Sequence, residues 1–196
     1  MMNLRFAVVC AAGIFAAAVA QAGKTVCFEA ETATKLTPPL RLVEPGTPAA
    51  SDKMPLIKGA AGNRYLEIPE GVGKPPETGG DAELSFDISE AGTYFLWCRV
   101  WWMDSCGNSL GISLDGATAF TFGQDATYKT WHWVRAPLKL KQLELSVGRH
   151  TLKISNREDG IAVDQFLFTQ ERRYVPVGIE SVTVQPATTP APAAGK

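Results

Sequence analysis

Residues 82–102 read AELSFDISEAGTYFLWCRVWW, and the way this stretch alternates decides the fold. Leu84, Phe86 and Ile88 take every second position, while Glu83, Ser85 and Asp87 fill the places between. Successive side chains of a strand point to opposite faces of a sheet, so this is a strand with one buried and one solvated face. Glu90-Ala91-Gly92 is a turn signal. Residues 93–102 then run almost unbroken through apolar and aromatic side chains, as a strand covered on both faces does. Within them Trp97 and Trp101 share one face, and Tyr94, Leu96, Cys98, Val100 and Trp102 share the other.

The same period recurs downstream. Leu143, Leu145 and Val147 alternate with Gln142, Glu144 and Ser146, and Leu152 and Ile154 alternate with Thr151, Lys153 and Ser155. Residues 161–169 (IAVDQFLFT) are continuously apolar again and read as a second central strand. Asp115-Gly116, Val147-Gly148 and Asp159-Gly160 mark further turns. About nine strands are predicted, near 25–31, 64–69, 82–88, 93–102, 110–115, 131–136, 140–147, 149–156 and 161–169. No stretch has a convincing helical period, so the predicted class is all-β, an antiparallel β-sandwich. Residues 32–63 break the pattern with Pro38, Pro39, Pro45, Pro48 and Pro55. A loop of that length in a compact domain is usually functional or mobile. It is expected to wrap over the sandwich and supply one wall of a site.

Both ends differ from this middle. In residues 1–22 Arg5 is the only charge, residues 7–20 carry none, and the run closes on Ala20-Gln21-Ala22. That is the pattern of a cleavable secretory signal peptide, cut after Ala22. The apolar run is too short to span a hydrocarbon core of about 30 Å comfortably, and no membrane span is expected in the mature chain. Residues 181–196 (SVTVQPATTPAPAAGK) are a Pro, Ala and Thr tail with little to bury. The globular unit is therefore about residues 24–180, secreted or periplasmic.

The 196 residues are 45% hydrophobic and 9% aromatic, too much for a disordered chain. Lysine and arginine total 19 against 20 aspartates and glutamates, so no net positive field exists to draw nucleic acid. Cleavage removes Cys10 and leaves Cys27, Cys98 and Cys106. Three cysteines allow one disulfide. Cys98 with Cys106 is the first expectation, and Cys27 with either is the alternative. His132 and His150 are the only histidines and no C-x-x-C occurs, which argues against zinc.

Five segments in order carry a resemblance. They are Phe28-Glu29-Ala30-Glu31; Ala91-Gly92-Thr93-Tyr94 leading into Leu96-Trp97-Cys98-Arg99-Val100; Asn108-Ser109 followed by Ser113-Leu114-Asp115-Gly116; Trp131-His132-Trp133; and Gly148-Arg149-His150-Thr151-Leu152 ahead of Arg157-Glu158-Asp159-Gly160-Ile161 and Asp164. Over residues 26–174 the chain is similar to the non-catalytic carbohydrate-binding modules of families 6 and 35, which have a galactose-binding-like jelly-roll fold. The resemblance implies a structural calcium joining the first and last strands, at Glu29, Glu31 and Asp164. Glu29 and Glu31, two apart on a strand, would share a face, and calcium accepts six to eight oxygen ligands. Asp164 would share a face with Phe166 and Phe168, an odd place for a charge unless it is paired. The alternative is that both glutamates are solvated and Asp164 pairs with an arginine.

A sugar presents apolar C–H faces and a rim of hydroxyls, which suits an exposed ring beside planar polar side chains. Trp101, Trp102, Asp104 and Asn108 surround one loop, Trp131 and His132 begin another strand, and Arg157, Glu158 and Asp159 form a polar turn. If these loops gather at one end, Trp101, Trp102, Asn108, Trp131, His132, Arg157 and Glu158 are the expected ligand-binding residues. Trp102 is expected to be exposed because it ends its strand. Each tryptophan also fits the core, Asn108 also fits a turn cap, Arg157 with Glu158 also fits a turn ion pair, and His150 is expected in a solvated turn. No G-x-S-x-G, Walker loop or H-E-x-x-H occurs, so the expected function is carbohydrate binding without chemistry. The second reading is an adhesion or cell-envelope sandwich without a sugar site, with a protein partner on the cell surface.

Overall fold

The computed structural model describes residues 24–72, 79–137 and 142–183. The predicted signal peptide, the tail beyond Thr183 and positions 140 and 141 of one predicted strand lie outside the described residues. The strands run β1 (Thr25–Glu29), β2 (Lys35–Leu36), β3 (Arg41–Val43), β4 (Tyr65–Ile68), β5 (Ala82–Ile88), β6 (Gly92–Trp102), β7 (Ser109–Leu114), β8 (Phe120–Gly123), β9 (His132–Arg135), β10 (Leu143–Leu145), β11 (Gly148–Ser155) and β12 (Ile161–Thr169). Single 3-10 turns follow β1 and precede β4. All the predicted strands are present; β2, β3 and β8 are additional and too short to show a period.

Every pairing among these strands is antiparallel, and they form the two sheets of a jelly-roll sandwich. One sheet has the order β2-β5-β11-β7-β8. In the other, β6 and β12 pair along their lengths at the centre. β9 and β10 share the far edge of β6, β1 and β4 share the far edge of β12, and β3 lies outside β4.

The smaller sheet alternates cleanly. Leu84, Phe86 and Ile88 enter the core with Leu110, Ile112, Leu152 and Ile154, while Glu83, Ser85 and Asp87 face outward. Phe28, Phe86, Phe166 and Phe168 stack between the sheets, with ring centroids 4.6 to 6.1 Å apart. Each fully buried ring contributes about 2–3 kcal/mol of transfer free energy. β6 and β12 are instead buried on both faces. Tyr94, Leu96, Cys98, Val100 and Trp102 fill the core, and Trp97 and Trp101 lie on the outer face. Segments on either side of the strands cover that outer face. Val43, Met54, Ile57 and Ala60 pack with Tyr65, Trp101, Met103 and Trp131, and Tyr174 packs with Cys27, Trp97, Trp133 and Leu167.

A β-bulge in β12 corrects one expectation. Val163 pairs with Val100 and Gln165 pairs with Arg99, which leaves Asp164 as the extra residue. Ile161 and Val163 point into the core before it, Phe166 and Phe168 after it. An inserted residue shifts the alternation by one. Asp164 therefore leaves the face of Phe166 and Phe168 and meets Arg99 on the outer side.

The predicted disulfide is not formed. Cys27, Cys98 and Cys106 are free thiols. Cys98 lies in the core, Cys27 on the opposite face of the same sheet, and Cys106 in an exposed loop. Nor is the C-terminal segment free from its first residue. The Thr183 N–H donates to the Cys27 carbonyl at 3.0 Å, and the Cys27 N–H donates to Thr183 Oγ1 at 2.7 Å, so Thr183 is bound to the edge of β1.

Candidate functional site

The loop residues do gather at one end of the sandwich, but they bond to one another. Trp102 is fully buried, contrary to the expected exposure, and its indole N–H donates to Asp125 Oδ2 at 3.0 Å. His132 Nε2 lies 3.1 Å from Asp125 Oδ1, and the Asn108 amide donates to the Asp125 carbonyl at 3.0 Å. Burial alone would raise the Asp125 carboxyl; the Thr127 N–H, the Trp102 N–H and His132 hold it below the ordinary carboxylate range. The Asn108 backbone N–H donates to Glu158 Oε2 at 3.0 Å. Arg157 donates to Glu158 Oε1 at 2.5 Å and to the Ser109 hydroxyl. Asp104 Oδ1 accepts the N–H groups of Cys106 and Gly107, and Asp159 Oδ2 accepts that of Gly71. Trp102, Asn108, His132, Arg157 and Glu158 thus tie three loops together. The polar atoms named above already have protein partners because a loop crossing within a fold must satisfy its own backbone groups.

Trp101 and Trp131 belong to a different place, the outer face of the larger sheet. Residues 55–59 form a rib over this face, and three side chains rising from the sheet pin it. Ile57 N–H donates to the Tyr65 hydroxyl at 2.8 Å, Trp131 Nε1 donates to the Lys58 carbonyl at 3.0 Å, and Arg99 Nη2 donates to the Gly59 carbonyl at 3.1 Å. Gly59 has φ +88, in the left-handed region that favours glycine. The Arg99 guanidinium also lies 5.2 Å from the Trp131 ring centroid. Between this rib and the end of β6 opens a groove of about 500 Å³, lined by Lys53, Pro55, Leu56, Ile57, Lys58, Trp101, Met103 and Lys129. The proline-rich loop supplies its wall, as the sequence predicts. On the rib's far side a second groove of about 360 Å³ shares Leu56, Ile57 and Lys58.

Lys53, Lys58, Met103 and Lys129 were not legible as site residues. A lysine in a loop is ordinarily solvated, and nothing local places the loop carrying Lys129 opposite residues 53–58.

The three carboxylates of the predicted metal site lie within one another's field. Burial pushes Glu31 up to about 7, with the charges of Glu29 and Asp164 adding to it. Burial likewise raises Glu29 and Asp164, the latter against the pull of Arg99. Strand β1 ends at Glu29, so Glu31 sits on the following turn rather than on the same strand face. Glu29 Oε2 and Glu31 Oε2 are buried without partners, an arrangement that suits a cation. Asp164 is committed elsewhere: Arg99 pairs with one oxygen and the Ala61 N–H donates to the other at 3.0 Å. Among the described residues no three acidic, histidine or cysteine side chains converge as a metal cluster.

No family model matches the sequence, and no curated protein matches it. Solved structures do. A GH26-CBM35 β-(1,4)-mannanase from Podospora anserina superposes with a TM-score of 0.54 at 19% identity, over 80% of this chain and 29% of that chain. The chain thus spans less than a third of that enzyme. A family 35 carbohydrate binding module from Clostridium thermocellum gives 0.52 at 18% identity, over 74% of this chain and 97% of that one. The carbohydrate binding module of Cellvibrio mixtus lichenase 5A, solved with cellotriose, gives 0.50 at 16% identity, over 78% and 100%.

Proposed function

We propose that this chain, whose fold is that of the carbohydrate-binding modules of families 6 and 35, is an exported, non-catalytic module that binds carbohydrate in the groove beside Trp101. The groove itself carries the reading: its volume suits a sugar unit, its apolar lining suits C–H faces, and the pinned rib holds its wall in place before a ligand arrives. Both histidines are engaged by protein groups, His132 with Asp125 and the Thr130 carbonyl, His150 with Asp115 and the Ser146 carbonyl. That supports binding over general acid–base chemistry. Among the described residues no helix is long and apolar enough to cross a membrane, and the reading of residues 1–22 as a signal peptide supports export.

The experiment is a glycan array on the chain from Gly23, repeated with Trp101→Ala. Specific binding that the substitution abolishes is the expected result. Binding that survives it overturns the groove as the site. Silence across plant, microbial and animal glycans would favour the second reading, an adhesion or envelope-structural sandwich, which the internal bonding of Trp102, Asn108 and His132 favours.

Calcium belongs to the same proposal, held by Glu29 and Glu31 with backbone carbonyls rather than by Asp164. It would neutralise two carboxylates whose inner oxygens lack partners. The expected outcome is a melting temperature raised by millimolar calcium and lowered by chelator in the unmodified protein, with no calcium response in Glu29→Gln/Glu31→Gln. An unmodified protein indifferent to calcium removes the metal from the account.

A further inference from the structure

We infer that the segment over residues 172–182 docks on an anionic lipid bilayer, with Arg172 and Arg173 meeting the headgroups and Val175, Val177 and Ile179 entering the interface. It is a different part of the molecule from the groove beside Trp101, and the inference stands whatever that groove binds. It starts from where the exposed apolar surface lies. Among the described residues seven large apolar side chains are exposed, and four of them, Val175, Val177, Ile179 and Val182, belong to this one segment. Val175, Val177 and Ile179 are 66%, 79% and 53% exposed. Single exposed aliphatics are ordinary, but neighbouring ones mark a surface with a partner.

The exposure is enforced by the backbone. Tyr174 packs against Cys27, Trp97, Trp133 and Leu167, and Pro176 is buried, so these residues face the sheet while those between them face out. The Trp133 indole N–H donates to the Gly178 carbonyl at 2.9 Å, Gln165 Nε2 donates to the Glu180 carbonyl at 2.9 Å, and the Val177 N–H donates to Glu180 Oε1 at 3.0 Å. A segment pinned in this way holds its aliphatics outward.

Charge identifies the partner. Arg172 and Arg173 are exposed directly ahead of the valines, and Glu171 is the single acid among residues 170–179. Lys24 is tied to the same end, its carbonyl accepting the Gln170 N–H at 3.0 Å. Burial and then the charge of Arg172 lower the Arg135 pKa, as expected of two guanidinium groups sharing a field. Among the described residues Lys24, Arg135, Arg172 and Arg173 make no ion pair. Unpaired cations at one end of an aliphatic strip match a surface that is negative outside and apolar beneath, the profile of an anionic bilayer. Neither groove described above is lined by these residues. They offer no socket to a protein side chain, whereas a bilayer needs only a protruding strip.

The test is co-sedimentation of the whole chain from Gly23 with vesicles of phosphatidylcholine and with equimolar phosphatidylcholine and phosphatidylglycerol. Binding to the mixed vesicles, weaker on phosphatidylcholine alone and weakened by salt, is expected. Arg172→Gln/Arg173→Gln should lower the partition coefficient about thirtyfold, and Val177→Ser/Ile179→Ser should lower it too. Both variants should keep the parent melting temperature, because the four side chains are exposed. Lys35→Gln/Lys153→Gln removes the same charge from the smaller sheet and should leave binding intact. An equal loss in that control overturns the inference as a mere effect of net charge, and binding that survives Val177→Ser/Ile179→Ser overturns it as adsorption without insertion. No binding to the mixed vesicles overturns it outright. If the chain then dimerises in light scattering, and Val177→Ser/Ile179→Ser abolishes the dimer, the strip belongs to a second copy instead.

Discussion

At the scale of single residues, the pair of Arg99 and Asp164 carries most of the consequence. Asp164 is fully buried and the Arg99 side chain is 8% exposed. Removing one partner of such a pair leaves an uncompensated charge. Arg99→Met should therefore cost about 3–5 kcal/mol in denaturant unfolding, more than Arg99→Met combined with Asp164→Leu. A second titratable group reports on pH. His150, expected to be solvated, is only 5% exposed, with its ring tilted against Phe86 at 5.6 Å between centroids. Burial opposes its charge, but Asp115 at 2.7 Å from Nδ1 and the Ser146 carbonyl at 2.9 Å from Nε2 outweigh it and raise its pKa. A raised histidine pKa stabilises the fold at acid pH, and that contribution is lost as pH rises through the folded value. Melting temperature should fall as pH climbs above about 6.5, and His150→Asn should flatten that fall. An identical fall in the variant would assign it to another group.

Among the elements, β12 shows what a period of two can and cannot reveal. Its apolar continuity identified a central strand, yet the alternation changes phase at Asp164. The bulge allows Ile161 and Val163, then Phe166 and Phe168, all to enter the core while Asp164 reaches Arg99. Deleting Asp164 would turn one of these pairs outward. The expected result is loss of the cooperative unfolding transition, read by circular dichroism. A deletion variant that still melts cooperatively near the parent temperature would show that the bulge is dispensable. The loop over residues 32–63 was legible as a wall because its prolines break the alternation, although the short strands β2 and β3 pair within it. Which side chains it turns into the groove was not.

Over the whole molecule, the larger sheet needs covers that the smaller one lacks. Residues 174–183 provide one: the Trp133 indole donates to the Gly178 carbonyl at 2.9 Å, Glu180 N–H donates to Gln165 Oε1 at 3.0 Å, and Thr183 is bound to Cys27. Burial pushes the Cys27 thiol up to about 12 and likewise raises Cys98 well above the ordinary thiol range, while Cys106 is exposed. The folded chain from Gly23 should thus react with one equivalent of a thiol reagent, and the unfolded chain with three. Ending the chain at Glu171 should expose Cys27 and give two equivalents in the folded state; a count still at one would deny the segment its covering role. The sequence by itself determined the class of fold, the central strands and the partition of tryptophans between faces, because alternation within a strand is a local property set by the pleat. Only the tertiary structure decided that Trp102, Asn108 and His132 bond inward, that Asp164 bulges towards Arg99, and that three lysines meet around Trp101. Those outcomes depend on which loops cross, and contacts between loops distant in sequence leave no trace in the spacing of either one.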